Sequence, residues 1–231
     1  DLMCAYGPMM LGYNDPDVDK AAMDQLKVMN CVVQPGTLMV ELAELMVDTV
    51  DMADWAFFAK NGGDVTNYAL MVARAATGRD KFIAMHGGYH GIIGWTQGWG
   101  APGVAKSDVA DKLMVPFNDV SAVEKIVSEY KGEIAALIST PYYHPVFDDN
   151  RLPEPEYWNK IRHVCDREGI VLIIDDVRCG FRLDVRGSDA HYGFKADLEC
   201  FCKALANGYN ISALCGIDSL KDAAASVMAT G

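Results

Sequence analysis

The stretch IVLIIDD at residues 170–176 decides how this sequence folds. Its first five residues are apolar without interruption, which is typical of a strand buried on both faces of a parallel sheet. Residues 155–169 come before it, place Trp158, Ile161 and Cys165 on one helical face and end at a glycine. A helix that leads into a fully apolar strand is the repeating unit of an α/β sandwich.

The same alternation continues on both sides of this stretch. We predict further strands at residues 54–59, 81–85, 134–139, 200–202 and 213–217, and helices at residues 64–77 and 120–130. Residues 87–103 are rich in glycine and are predicted to form a loop. The sequence has no internal repeat and no composition break that marks a linker. These patterns together predict an α/β fold with a mainly parallel sheet.

The composition excludes several classes of function. The chain has 231 residues, of which 51% are hydrophobic and 23% charged, as in ordinary globular domains. Its formal net charge of -12 repels phosphate backbones and anionic lipid, so we expect neither nucleic acid nor membrane as the main partner. The odd number of scattered cysteines predicts buried free thiols in a reducing compartment. With no signal-peptide pattern at the start, the expected location is cytoplasmic.

Four candidate functional residues lie just beyond predicted strands: Gly63, Thr140, Asp175 and Lys203. In parallel sheets, ligands bind outside the carboxyl ends of the strands, so we expect a site there. The sequence contains neither the Gly-x-Gly-x-x-Gly signature of dinucleotide binding nor the P-loop signature. No metal site is expected.

Two of these positions allow alternative interpretations. The turn Asn61-Gly62-Gly63-Asp64 can hold a phosphate through backbone N–H groups at a helix N-terminus, or it is a plain turn capped by Asp64. Asp175 can be paired with a cation, form a magnesium site with Asp176, or face a protonated heterocyclic nitrogen.

The side chains of Lys203 and Tyr89 each allow a structural and a functional interpretation. Lys203 is flanked by apolar residues, so it is either a desolvated nucleophile or a lysine whose head reaches water. Tyr89 is either a packing residue or a ring that stacks on a planar cofactor. His86 and His90 are separated by glycines, which does not suit the helix of a zinc pair.

A phosphate turn, a stacking tyrosine, a carboxylate and a lysine are the parts of a pyridoxal phosphate site.

The sequence resembles the class III aminotransferases, the fold-type I pyridoxal phosphate enzymes that include glutamate-1-semialdehyde aminomutase. Five segments in order carry the resemblance: AYGPMMLGY at residues 5–13, FAKNGGD at 58–64, YHG at 89–91, IIDDVRCGFR at 173–182 and FCKALANG at 201–208. The resemblance covers nearly the whole chain. It implies that residues 1–231 are the large cofactor-binding domain, with helices on both faces of its sheet, and part of an N-terminal segment. A C-terminal small domain would lie outside this sequence.

The resemblance also implies a role for each matching residue. Lys203 would form a Schiff base with pyridoxal phosphate and move the proton, and Asp175 would keep the pyridine nitrogen protonated. Val177 and Tyr89 would cover the two faces of the ring. Backbone N–H groups of Gly63 and Asp64 would hold the phosphate.

The reaction implied by the resemblance moves an amino group from a small-molecule donor to a carbonyl acceptor, and the full-length enzyme would be a homodimer. Alternatives are an intramolecular aminomutase, an epimerase, or an inactive fragment or structural subunit. Tyr6, Trp95 and the loop at residues 142–149 are candidates for substrate contact. Departures from the family pattern include Thr140 and Asp176, each in place of a more usual glutamate.

Overall fold

The computed structural model describes residues 2–29, 34–145 and 148–228. Seven strands form one sheet in the order β1-β7-β6-β5-β4-β2-β3. Strand β7 is antiparallel to both of its neighbours, and the other pairs are parallel. The strands are β1 Trp55–Ala59, β2 Lys81–Met85, β3 Lys112–Val115, β4 Ile134–Ser139, β5 Val171–Asp175, β6 Leu198–Phe201 and β7 Ser212–Gly216.

Helices cover both faces of this sheet. They are α1 Pro16–Val28, α2 Thr37–Thr49, α3 Gly62–Thr77, α4 Val120–Glu129, α5 Tyr157–Glu168, α6 Ser188–Tyr192 and α7 Lys221–Met228. Helices α3 and α7 pack on one face, and α2, α4 and α5 on the other. Alternate residues of β5 enter the two cores: Leu172 and Ile174 face the α5 side, and Ile173 faces α3. The α/β fold with a mainly parallel sheet, predicted from the sequence, is confirmed.

The long apolar strands were the most accurately predicted elements. Strands β2 and β4 have the predicted bounds, whereas β5 is shifted by one residue and includes Asp175. Helix α3 begins at Gly62 instead of residue 64. Elements β3, α1, α2, α6 and α7 were not among those predicted. Strand β3 has only four residues and begins with a lysine, which hides the apolar pattern.

The described cysteines are free thiols, as predicted, and no disulfide joins them. Cys165, Cys179, Cys200 and Cys215 are buried and Cys202 is partly buried, whereas Cys4 is exposed, so the prediction of burial is wrong for Cys4. Burial raises the pKa of the Cys165 and Cys179 thiols to about 12, which keeps them protonated and unreactive. Cys31 lies outside the described residues.

Helix length and hydropathy bear on membrane insertion. Within the described ranges, none of the helices is both long enough and apolar enough to cross a bilayer.

Candidate active site

All the strands except β7 end at the same edge of the sheet, which we call the carboxyl edge, and four of them lead to the predicted site residues. Strands β1 and β6 are both antiparallel to β7 and therefore run the same way as β5 and β4. The turn at Gly63 follows β1, Thr140 follows β4, Asp175 ends β5 and Lys203 follows β6. The predicted convergence of these positions at one edge is therefore present in the fold.

Asp175 is held at the carboxyl edge by a histidine. Asp175 is 3% exposed, and its carboxylate Oδ2 lies 2.7 Å from His90 Nδ1. Its Oδ1 accepts a hydrogen bond from Val177 N at 3.1 Å. An ionised carboxylate only accepts, so the imidazole proton lies on Nδ1. Among the described residues, His90 Nε2 is buried without a partner. This histidine was considered only as a zinc ligand, and its role beside Asp175 was missed.

Tight glycine packing joins the loop that carries His90 to the start of α3. Gly91 has a φ of 119°, and a Cβ there would lie 2.9 Å from Gly63 Cα. Thr66, on the first turns of α3, donates from Oγ1 to the His90 carbonyl at 2.7 Å. Tyr89, next to this contact, is 59% exposed. The loop therefore has a fixed backbone and leaves the Tyr89 ring accessible to a ligand.

The first turn of α3 presents backbone donors at the carboxyl edge. Asn61 is the N-cap, and the Asp64 carboxylate turns back to accept from Asn61 N at 2.8 Å. The alternative in which Asp64 is the N-cap is therefore wrong. The first four N–H groups of a helix have no intrahelical acceptor, and the N–H of Gly63 is one of these. A Cβ on Gly62 would lie 2.8 Å from Val177 Cγ1, so the turn packs against Val177.

Lys203 begins a short 3-10 helix, Lys203–Ala206, directly after β6. Its φ of 23° is unusual for a residue with a side chain and costs about 1–3 kcal/mol, which the surrounding contacts must offset. Desolvation lowers its pKa, and the nearby Arg178 guanidinium lowers it further, whereas Asp175 acts in the opposite direction. A larger fraction of the amine is therefore neutral, as a nucleophile requires.

The N-terminal segment covers the lysine loop. Asn207 accepts from Leu11 N at 2.9 Å and donates to Gly12 O at 2.9 Å, which ties the two segments together. A Cβ on Gly7 would lie 3.5 Å from Arg182 Nη2 and 3.9 Å from Lys203 Cδ. The Gly-Pro stretch at the start of the chain therefore approaches the lysine closely.

The loop after β4 lies beside the lysine. Arg178 donates from Nη1 to His144 Nδ1 at 3.0 Å and to His144 O at 3.3 Å. Burial lowers the pKa of His144 to about 4, and the Arg178 charge adds to this effect. Tyr142 packs edge-on against the His144 ring at 5.0 Å. Val146 and Phe147, from the predicted substrate loop, lie outside the described residues.

Three other residues singled out from the sequence have different environments. Trp95 is 8% exposed, packs edge-on against Phe82 at 5.2 Å and donates to Asn67 at 3.0 Å. It is a core residue, so the expectation of a substrate contact is wrong. Thr140 donates to the carbonyl of Tyr142 at 2.8 Å, and Tyr6 is 75% exposed.

The side chain of Asp176 lies in a different environment from that of Asp175. It is fully buried and accepts from Ser188 Oγ at 2.5 Å and Ser188 N at 3.1 Å. Ser188 N also lies 3.2 Å from Oε1 of the buried Glu199. Burial raises the pKa of Asp176 to about 6 and that of Glu199 well above its usual range. Asp176 is therefore bound within the fold, which does not favour the interpretation of the two aspartates as a magnesium site.

The fold and the edge just described are those of fold-type I enzymes, with a lysine, a carboxylate and a glycine-lined helix start around one space. Residues 1–228 match the model of the family described as Aminotransferase class-III, and the chain belongs to this family.

Comparison with curated proteins gives relatives of two kinds. The chain is 41% identical over 231 residues to an aminopentol aminotransferase of Sphingopyxis macrogoltabida, covering 100% of this chain and 54% of that protein. It is 34% identical over 227 residues to a glutamate-1-semialdehyde 2,1-aminomutase of Methanococcus maripaludis, covering 94% of this chain and 53% of that protein. The chain therefore spans about half the length of these relatives.

A solved structure with the same fold is the FumI protein of Sphingopyxis sp. MTA144, described as the PLP internal aldimine form. The TM-score is 0.95 at 40% identity, over 100% of this chain and 56% of that one. The fold-type I architecture is thus confirmed over the length of this chain.

Proposed function

We propose that the full-length protein containing this chain is a pyridoxal phosphate-dependent aminotransferase, and that residues 1–231 are its large cofactor-binding domain with part of the N-terminal segment. One observation carries the proposal. Asp175 ends β5 and Lys203 follows the neighbouring strand β6, since Asp175 pairs with Cys200 and Lys203 lies three residues after Cys200. A nucleophilic amine and a buried carboxylate therefore face the same space beyond the carboxyl edge.

The residues around this space fit pyridoxal phosphate. Gly62 packs against Val177 and Gly91 packs against Gly63, at positions where a Cβ would not fit, and the helix start that they shape supplies donors for a phosphate. The exposed Tyr89 ring and the Val177 side chain suit the two faces of a flat heterocycle. When bound, this cofactor supplies an electron sink for the charge that develops at the substrate carbon.

The chain's own groups would handle the protons. The Asp175 carboxylate, fixed by His90 and the N–H of Val177, is placed to keep a proton on a ring nitrogen. Lys203, whose pKa is lowered by burial, can accept a proton from the substrate carbon and return it. The backbone N–H of Gly63 would fix the phosphate end and so orient both steps, whereas the N–H of Asp64, the second predicted donor, already donates to Asn61 O at 3.1 Å.

The substrates we propose are a small-molecule amino donor and a carbonyl acceptor. The sequence similarity to the aminopentol aminotransferase supports transfer between two molecules. The similarity to an aminomutase supports the second candidate, transfer within one molecule.

The same full-length protein can separate these two reactions. A transaminase incubated with a primary amine and a separate oxo acid forms the amino acid of that oxo acid, and Lys203→Ala does not. An aminomutase forms only a rearranged product of its single substrate. Absence of cofactor binding in equilibrium dialysis would instead favour the inactive or structural alternative.

We also propose that the full-length enzyme is a homodimer in the cytoplasm. Helices α1 and α2 expose apolar side chains that the described chain does not cover, including Met23, Leu26, Leu38, Met39, Val40 and Leu45. Exposed apolar surface of this extent is typical of an interface. The free thiols support a reducing compartment. Light scattering after size exclusion would give twice the chain mass for a dimer.

A further inference from the structure

Arg178 and Arg182 are exceptional among the arginines of this acidic chain. The chain has a formal net charge of -12, and five arginines have a carboxylate within 4 Å: Arg74, Arg151, Arg162, Arg167 and Arg186. Arg79 instead donates to three backbone carbonyls. Within residues 2–29, 34–145 and 148–228, neither Arg178 nor Arg182 has an acidic partner at that distance, although both side chains are exposed.

Both arginines lie beside the lysine of the proposed site. Arg182 Nη2 and Lys203 Cδ are each within 4 Å of the position that a Cβ on Gly7 would occupy. Arg178 and Arg182 both lower the pKa of Lys203 through their charge, and Asp175 is a nearby acid that opposes them. The space around the amine therefore carries an excess of positive charge, which favours an anion.

His144 adds a directed donor to this charge. Arg178 donates from Nη1 to His144 Nδ1, so the ring hydrogen must be on Nε2. In the described part of the chain, this Nε2 is a buried atom with no hydrogen-bond partner. Among the residues that the structure describes, Arg178 donates through Nη1 alone, so its Nε and Nη2 can donate to a ligand. A guanidinium fork beside an imidazole N–H matches the acceptor oxygens of a carboxylate.

We propose that Arg178 and His144 bind the carboxylate of an amino acid or oxo acid substrate beside Lys203, with Arg182 contributing charge. This inference rests on the proposed aminotransferase function and names the substrate class of one half of the reaction. Both residues would be specificity residues that touch the substrate, and neither would take part in proton transfer.

The test compares two amines that differ only in the carboxylate. Alanine and isopropylamine share the amine and one methyl group, and a second methyl replaces the carboxylate in isopropylamine. The full-length holoenzyme is mixed with each amine, and the absorbance change of the bound cofactor gives the second-order rate constant. The wild type should favour alanine. Arg178→Ala should lower the second-order rate constant for alanine by roughly 10- to 100-fold, the usual contribution of a charge-assisted hydrogen bond. The rate constant for isopropylamine should stay nearly unchanged.

Additional variants separate substrate binding from a structural role. Arg178→Lys should recover part of the loss, and His144→Phe should give a smaller loss than Arg178→Ala, again for alanine only. The change should appear in KM rather than kcat, because the contact is present before and during the reaction. Arg167→Ala is the matched control, since it removes the same charge from an arginine paired with Glu124 on the surface. Propanoate should inhibit the wild type more strongly than Arg178→Ala.

Two outcomes of these measurements would overturn the proposal. Equal losses for both amines, together with a lower melting temperature, would overturn the proposal and make Arg178 an ion-pair partner elsewhere in the full-length protein. A cofactor-loaded wild type that does not favour alanine over isopropylamine would also overturn it. Reaction with isopropylamine alone would still leave the proposed function intact, whereas failure to bind cofactor at all would count against the proposed function itself.

Discussion

Two neighbouring carboxyl groups, Asp175 and Asp176, occupy opposite kinds of environment in this molecule. Asp175 lies at the carboxyl edge and accepts hydrogen bonds from the His90 ring and a backbone N–H. Asp176 is fully buried against Ser188 and another acid, Glu199. Hydrogen-bond donors surround the first carboxylate, whereas burial raises the pKa of the second to about 6 and raises that of the neighbouring Glu199 well above its usual range. We therefore propose that the same residue type serves the chemistry at position 175 and stabilises the fold at position 176.

The largest expected effect comes from making the same substitution at both positions. Asp175→Asn should lower kcat of the full-length enzyme by roughly 10²–10⁴-fold, the range for a group that manages a proton in the reaction. Asp176→Asn should stay within about fivefold of the wild type, or about 1 kcal/mol, because the amide can still accept from Ser188. Steady-state kinetics on both variants checks this. Similar losses at both positions would remove the distinction between them.

A smaller effect is expected where the His90 loop meets the helix start. Gly91→Ala places a Cβ 2.9 Å from Gly63 Cα at a φ of 119°, so the loop must move away from the phosphate turn. We expect the affinity for pyridoxal phosphate to fall about tenfold or more, because a strain of about 1–3 kcal/mol opposes the bound geometry.

Fluorescence titration of the apoenzyme with cofactor measures this affinity. Gly98→Ala is the control, since a Cβ there would meet nothing within 4 Å. If both variants bind the cofactor as tightly as the wild type, the Gly91–Gly63 contact does not shape the phosphate turn.

The smallest effect concerns the buried acid pair and depends on pH. Folding raises the pKa of Asp176 to about 6 and raises that of Glu199 well above its usual range, mainly through burial. The folded protein therefore holds a proton that the unfolded chain releases, and stability falls as the pH rises from the unfolded pKa values through the folded ones. Glu199→Gln keeps a neutral donor at this position without the titrating proton.

Urea unfolding of the wild type and Glu199→Gln at pH 5 and pH 8 measures the difference. The variant should gain stability relative to the wild type as the pH rises, by at most about 1.4 kcal/mol per pH unit for one proton. Asp184→Asn is a surface control that should not show this gain, because folding lowers the pKa of Asp184 to about 2. A difference that is constant with pH would show that the buried pair holds no shared proton.

Local patterns in the sequence predicted the framework of the site better than its contacts. The apolar runs of β2, β4 and β5 identified the strands, and the residues that follow them identified the carboxyl edge. The bond between His90 and Asp175 joins residues 85 apart in sequence, and neither local segment indicates it. The pairing of Asp176 with Ser188 and Glu199 likewise requires three segments to meet.

The positions that sequence analysis placed wrongly have a similar explanation. Trp95 lies in the glycine-rich loop and was a candidate for substrate contact, yet its ring packs against Phe82 of strand β2. The Asn61 cap and the Asp64 side chain form a reciprocal pair, so helix α3 begins two residues earlier than its periodicity predicted. Arg178 was not among the predicted site residues, because its contact with His144 joins two loops that meet only where β4 and β5 are adjacent.

The claim that Lys203 is the residue linked to the cofactor has a direct test. The full-length protein is loaded with pyridoxal phosphate, treated with borohydride, digested and analysed by mass spectrometry. We predict that the cofactor mass appears on the peptide that contains Lys203, whose amine is partly desolvated at the carboxyl edge. Attachment to another lysine, such as Lys60 beside the phosphate turn, or no covalent attachment, would contradict the assignment of the site.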